Sequence, residues 1–195
     1  MKLIDFHTHH ESLQGEVVIQ QGVHSWGIHP CQAAEEENYT LLYSREWMAL
    51  GECGLDRLCQ TSWDIQERVF RKQIQLSEEL RIPLILHCVR AHAEMLALQK
   101  ELRTSMPWIC HGFRGKPEQM RQLTAHGWYL SFGTFFNEES VRLCPPELLL
   151  TETDDKPIAV RSVYERIAQV RGISVAALAA QMWKNYEKLF GKRSI

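Results

Sequence analysis

The sequence predicts an α/β fold, wound as a barrel of parallel strands and distorted or incomplete near its first crossover. Two observations carry that expectation. Short apolar runs alternate with longer segments of helical period, the pattern of βα units around a parallel sheet. Histidines and carboxylates stand at the carboxyl ends of those runs, where the loops of a parallel barrel converge. A chain of 195 residues can bury a full hydrophobic core, and 1–195 is read as a single domain.

The first run is Leu3–Phe6, followed by "EVVIQ" at 16–20 and "GVHSWGIHP" at 22–30. Next come "WMALGE", "IPLILH", "PWICH", "GWYLSFG" and "ELLLTETD", ending at Glu52, His87, His111, Gly133 and Asp154. Between them, Asp64–Leu80 places Ile65, Val69, Phe70, Ile74, Leu76 and Leu80 along a helical stripe. Ala91–Leu102 reads as a second helix, and Pro117–His126 as a third whose proline suits a first turn. Val160–Arg171 stops at Gly172; Ser174 then caps a helix running to Phe190, where Gly191 ends it. Between His9 and Val17 there is room only for a loop, whereas a parallel crossover normally takes about a dozen residues or more. "EVVIQ" is therefore expected to sit irregularly or to pair antiparallel.

Bulk properties exclude several classes. The formal charge of −2 argues against a long basic surface for nucleic acid, so such a substrate would have to be gripped locally. No stretch approaches the roughly 18 apolar residues of a membrane span, and Met1 leads straight into a strand-like run without a signal peptide. The six cysteines form no CxxC pair and are read as reduced thiols of a cytoplasmic protein. No obligate protein partner is implied.

The chemistry lies in the run endings. His7 and His9 end the first run, His29 ends "SWGI", and Glu52, His87, His111 and Asp154 end the runs already quoted. A lone histidine after an apolar run is usually a core or capping residue. The pair His7 and His9, however, sends both rings to one face of a strand. Burying so many imidazoles and carboxylates together without ions would be unfavourable, and cations relieve it. Cys53, Cys88 and Cys110 each neighbour one of these residues, so strand alternation turns them to the opposite face and into the core. Cys31, Cys59 and Cys144 show no metal spacing. Nitrogen and oxygen donors without thiolates suit Zn, Mn, Fe(II) or Mg, and a pair of such ions points to hydrolysis.

"DFHTHH", "GIHP", "LGECGLD", "PLILHCVRA", "ICHGFRG", "LLLTETD" and the closing "WKNYEKLFG" occur in the order seen in TatD-type metal-dependent hydrolases, and the chain resembles that family over nearly its whole length. The resemblance implies a TIM-like (β/α) barrel and two divalent metals held by His7, His9, Glu52, His87, His111 and Asp154. Glu52 would bridge them, and Asp154 would accept the proton of the attacking water. His29 matches a position near the substrate phosphate. Family members with an assigned activity are mostly deoxyribonucleases, so DNA or another phosphodiester is the implied substrate. The chain is shorter than is usual, chiefly before "GIHP". Val89 also stands where the family has an arginine, with Arg90 one position later as the candidate phosphate contact.

Arg114 and Lys116 lie before the Pro117 helix, where free N–H groups favour anions, although surface cations there are equally often only solvated. Asp56 reads first as a loop carboxylate. Trp26, Phe113 and Phe135 are candidates for base stacking, against an ordinary core role. The same residues are compatible with two further functions. One is hydrolysis of a small amide, ester or lactone with the same metals; the other is a non-catalytic degenerate barrel.

Overall fold

The computed structural model describes residues 2–11, 13, 16–34 and 36–191. Its strands are β1 (Ile4–Thr8), β2 (Val17–Gln20), β3 (Ser25–Trp26), β4 (Ala49–Asp56), β5 (Leu84–Val89), β6 (Trp108–Cys110), β7 (Tyr129–Phe132) and β8 (Leu149–Thr151). The helices are α1 (Thr40–Tyr43), α2 (Trp63–Leu80), α3 (His92–Leu102), α4 (Pro117–Ala125), α5 (Glu138–Leu143), α6 (Arg161–Arg171) and α7 (Val175–Phe190). The five helices read from periodicity appear with ends shifted by at most one residue, and Ser174 caps α7 by accepting from the Ala177 N–H. The short α1 and α5 are too brief to show a helical stripe, although Asn137 caps α5 by accepting from the Ser140 N–H.

All strand pairs are parallel. β3 to β8 form one sheet in chain order, and β1 with β2 forms a second. Two single bridges, Gln21 with Ser25 and Thr8 with Asp154, link the sheets in place of continuous ladders. The strands thus follow the order of an eight-stranded α/β barrel with two weak seams, both flanking the β1–β2 pair.

The antiparallel alternative for "EVVIQ" is corrected here. β2 runs parallel to β1, with Ile4 opposite Val17 and a register shift between Asp5 and Thr8. Residues 9–16 number eight and can span about 27 Å when extended. β1 is only about 17 Å long, so a parallel return needs no helix. The expected irregularity is present as that register shift.

β4 is buried along its whole length, and α2 covers it with Phe70, Ile74 and Leu76, while Val69 packs against Ile28 and Ala33 in the segment after β3. Two glutamines on the same helix face are also buried, because their amides satisfy strand-end backbone. The Gln66 carbonyl accepts from the Asp56 N–H while its amide donates to the Asp56 and Thr61 carbonyls. Gln73 makes the same two-way pairing with the N–H and C=O of Ile28. These bonds hold the ends of two site-bearing segments against α2. On the other side of the fold, α7 packs Tyr186 and Phe190 against Phe6, and the Asn185 amide donates to the Pro146 and Leu149 carbonyls. Among the described residues, no helix is long and apolar enough to cross a membrane.

Cys53 and Cys110 are buried in the core, and Cys88 is half-buried against it, its burial pushing the thiol up to about 12. The expectation of six reduced thiols fails at Cys31 and Cys59, which form a disulfide with Cα atoms 5.0 Å apart. They are separated by 28 positions, so sequence spacing carries no pairing signal. Only the convergence of the loops after β3 and β4 brings them within bridging distance.

Candidate metal centre

The seam between β1 and β8 is made by the backbone of the residues singled out from the sequence. The Asp154 N–H donates to the His7 carbonyl at 3.0 Å, and the His9 N–H donates to the Asp154 carbonyl at 3.0 Å. Beneath it the buried Asp5 carboxyl accepts from the Thr153 hydroxyl at 2.6 Å, the Thr153 N–H and the His7 N–H. Burial pushes Asp5 up to about 8, against those hydrogen bonds. Asp154 itself has a φ of 57°, a left-handed conformation that is uncommon outside glycine and recurs at functional sites.

Glu52 is the hub. Its Oε1 lies 2.9 Å from His7 Nε2 and 2.8 Å from His9 Nε2, and each of those nitrogens is 3.7 Å from Asp154 Oδ1. Its Oε2 lies 3.1 Å from His111 Nε2, 3.6 Å from His87 Nδ1 and 3.9 Å from His29 Nε2. One carboxylate therefore divides five imidazoles into two groups, His7 and His9 with Asp154 on one oxygen and His87, His111 and His29 on the other. Burial works to raise the Glu52 pKa, but hydrogen bonds from His111, His7, His87 and His9 outweigh it and hold the carboxyl far below the usual range. The same contact raises His9.

Two carboxylates stand behind the rings: Asp56, read from the sequence as a loop carboxylate, and Glu152, which the sequence reading missed. The Asp56 Oδ2 is 2.9 Å from His87 Nε2, leaving Nδ1 toward Glu52. Glu152 Oε1 accepts from the Gly112 N–H at 2.6 Å and lies 3.8 Å from His111 Nδ1, leaving Nε2 toward Glu52. Burial opposes charge on His111, yet Glu152 and Glu52 on its two sides raise it well above the ordinary imidazole value. A carboxylate behind a histidine fixes the ring and its tautomer, as in many metal sites. Glu152 was legible in one respect: it precedes Asp154 by two.

His29 is held differently. Its Nδ1 accepts from the Cys31 N–H at 3.1 Å, so the proton of a neutral ring sits on Nε2. Burial, with His87 nearby, lowers its pKa and favours that neutral form.

A divalent metal fits this arrangement. His7, His9, Glu52 and Asp154 each offer a donor atom within 4.8 Å of the others, as do His29, Glu52 and His87, and His111, Glu152 and Asp154. The buried His7 Nδ1, His111 Nδ1 and Glu152 Oε2 have no hydrogen-bond partner. Protons shared among crowded imidazoles, with rings as close as 4.2 Å for His29 and His87, are what cations would replace.

A cleft of about 380 Å³ opens over the cluster, lined by His87, His111, Asp154, Arg90, Arg114 and His92 among others. Arg90 is exposed and has a φ of 53°, and its carbonyl accepts from Arg57. Arg114 is exposed over the Phe135 ring at 5.6 Å. Lys116 is exposed at the N-cap of α4. Of the aromatic candidates, Phe135 is 59% exposed, whereas Phe113 is buried and Trp26 packs against the core. Phe113 lines the cleft but is buried, its ring packed edge-on against Phe132, which leaves no open face for a base to stack on.

The family described as TatD related DNase matches residues 4–191. The 3'-5' ssDNA/RNA exonuclease TatD of Escherichia coli is 32% identical, over 93% of this chain and 84% of that protein. An uncharacterised metal-dependent hydrolase of Bacillus subtilis is 32% identical over 84% of this chain and 75% of its own length. Among solved structures, a TatD family hydrolase from Entamoeba histolytica superposes with a TM-score of 0.74 at 19% identity, covering 91% of this chain and 76% of that one. A TatD homologue from Escherichia coli gives 0.69 at 19% identity, covering 93% and 79%. These last two establish the fold.

Proposed function

The chain belongs to the TatD-related DNase family and is a metal-dependent hydrolase, and from that premise we propose that it cleaves phosphodiester bonds of single-stranded nucleic acid with two divalent ions. The observation that carries this reading is the division of donors about Glu52. His7, His9 and Asp154 with Oε1 would hold one ion, and His87 and His111 with Oε2 the other. The donor set suits Zn, Mn or Mg. When bound, such ions lower the pKa of water toward neutrality and stabilise charge on the attacked and leaving oxygens.

The chain's own residues do the rest. Asp154, its side chain a quarter exposed at the cleft, accepts the proton of the attacking water. Its left-handed backbone lets it face both His7 and His9 while its amide closes the seam. His29 donates from Nε2 to a phosphate oxygen, because its other nitrogen is occupied by the Cys31 N–H. Arg114 and Arg90 meet the neighbouring phosphates at the rim, which supplies local grip on a chain whose net charge is −2. Asp56 and Glu152 position His87 and His111. In this reading residues 1–195 act as one catalytic domain, in the cytoplasm and without an obligate protein partner.

The test is elemental analysis followed by assays on single-stranded oligonucleotides and bis(p-nitrophenyl) phosphate, after reconstitution with Mg, Mn or Zn. Near two ions per chain with turnover is expected. Asp154→Asn should lower kcat by about 10²–10⁴-fold with the fold retained. A metal-loaded protein that cleaves neither substrate rejects the proposal. Turnover of a lactone or amide panel instead would assign the same machinery to carbonyl substrates.

A further inference from the structure

The loops after β3 and β4 are joined by a covalent bond that the proposed chemistry does not use. Cys31, in the 3-10 turn Pro30–Gln32, is exposed, and Cys59, three residues beyond β4, is half-buried. Their disulfide ties together two turns, each of which orients a site histidine. On one side, the Cys31 N–H bonds His29 Nδ1 and so aims Nε2 at Glu52. On the other, Asp56 Oδ1 accepts from the Leu58 N–H at 2.7 Å, shaping the turn that carries Cys59, while Oδ2 holds His87. The Cys31 sulfur is itself 4.0 Å from Asp56 Oδ2. Outside the bond, the two segments share the Thr61 hydroxyl donating to the Cys31 carbonyl at 3.3 Å.

We propose that Cys31 and Cys59 are a site of reversible thiol–disulfide exchange, and that the oxidised state positions His29 and His87 for the reaction. Access supports reversibility: Cys31 is open to solvent, and exposed disulfides are the labile ones. Disulfides of cytoplasmic proteins, where they occur, are usually transient or redox-sensing. The remaining cysteines, Cys53, Cys88, Cys110 and Cys144, are unbonded and three of them are buried, so the disulfide on the loops after β3 and β4 is where exchange would occur. In the reducing direction a glutathione thiolate attacks the Cys31 sulfur and the S–S bond breaks. Its electron pair goes to the Cys59 sulfur, which takes up a proton. A second glutathione thiolate then attacks the mixed disulfide, freeing Cys31 as a thiolate that takes up a proton and releasing oxidised glutathione. Two glutathiones are oxidised as one protein disulfide is reduced, and oxidised glutathione drives the reverse. Once reduced, the His29 turn loses its covalent link to the Asp56 turn and keeps only hydrogen bonds, through Thr61, Gln66 and Gln73, so both rings gain freedom.

The kinetic part of this inference rests on the phosphodiesterase reading; the thiol and metal readouts do not. The full chain is equilibrated across reduced-to-oxidised glutathione ratios, trapped by alkylation and weighed intact. Two thiols should titrate together under native conditions. Mn²⁺, which thiolates bind poorly, is then titrated into each state, and reduction should weaken its affinity by up to about 10-fold, as the turn carrying Asp56 loosens behind His87. On a single-stranded oligonucleotide, reduction should raise KM by about 5- to 10-fold with a smaller change in kcat. The C31S/C59S double variant should sit at the reduced values and ignore glutathione; reduced wild type supplies the same comparison without mutation. A pair that never exchanges, or one whose reduction lowers only the melting temperature, overturns the proposal. Redox-dependent Mn²⁺ affinity without turnover in either state would instead fail the phosphodiesterase reading and leave this inference standing.

Discussion

Replacing Gly54 by alanine tests whether the metal cluster depends on the close approach of β4 to β5. Gly54 pairs with His87 across those strands and has a φ of +141°. A Cβ added there would lie 2.1 Å from the His87 carbonyl oxygen, well inside any real contact. That oxygen cannot retreat without moving the residue whose ring faces Glu52 and Asp56. Forcing a non-glycine residue into this backbone region costs about 1–3 kcal/mol. Opening the strand pair for the methyl adds a further ~1–3 kcal/mol. The sum, roughly 2–6 kcal/mol, is a large part of the ~5–15 kcal/mol that stabilises an ordinary domain. At about 2–4 °C per kcal/mol for a chain of this size, the melting temperature should fall by roughly 4–24 °C. Gly127 provides the control, since it has a φ of +79° with nothing within 4 Å of an added Cβ. Gly127→Ala should therefore show only the backbone part. The assay is thermal and urea unfolding followed by circular dichroism on metal-free protein, with Mn²⁺ titration of each variant. A Gly54→Ala protein that melts with Gly127→Ala and binds Mn²⁺ like wild type would refute the reasoning.

Three further outcomes follow from the geometry. Glu152→Gln keeps an acceptor for the Gly112 N–H but removes the charge behind His111, so metal affinity should drop about 10–100-fold with the fold intact, measured by chelator competition. Asn185→Leu strips the buried Leu149 carbonyl of its donor and should cost about 1–3 kcal/mol in urea unfolding; an unchanged midpoint would mean that another group satisfies it. Burial lowers both His24 and His92, the former beside Arg45 and the latter partly offset by Glu94. Unfolded imidazoles protonate near about 6.5, so between that value and the lower folded one the unfolded chain binds more protons. Their contribution is present above about pH 6.5 and is lost as the pH falls through the folded values. The H24Q/H92Q variant, metal-free, should thus lose less stability than wild type between about pH 7.5 and 5.5, and an equal loss would contradict the assignment.

Much of the fold was legible because it is locally encoded. Helical stripes such as Ile65 to Leu80, and stop signals such as Gly172 and Gly191, act within a few residues, and the helices duly appear there. The donor set was legible for a related reason. A parallel barrel sends the carboxyl ends of its strands to one face, so residues far apart in sequence could be assigned a common place from their position in each run. The separate run endings from His7 to Asp154 do meet about Glu52.

What supports that set was not legible, because it depends on contacts with no local signal. Asp56 read as a loop carboxylate, yet it holds His87; Asp5 gave no sign that it braces His7, and Glu152 only its spacing from Asp154. Phe113 and Phe135 look alike in sequence, but one is buried and the other open to solvent. The parallel course of β2 and the Cys31–Cys59 bond likewise depend on where chain segments return. The sequence by itself determined the element pattern, the hydrolytic donor chemistry and the family. Only the tertiary structure decided which nitrogen of each imidazole faces Glu52, which carboxylate stands behind it, and which two loops are tied. The physical reason is range: periodicity and capping act over a few residues, whereas most of the ring orientations, those of His87 and His111 among them, are set by partners dozens of positions away.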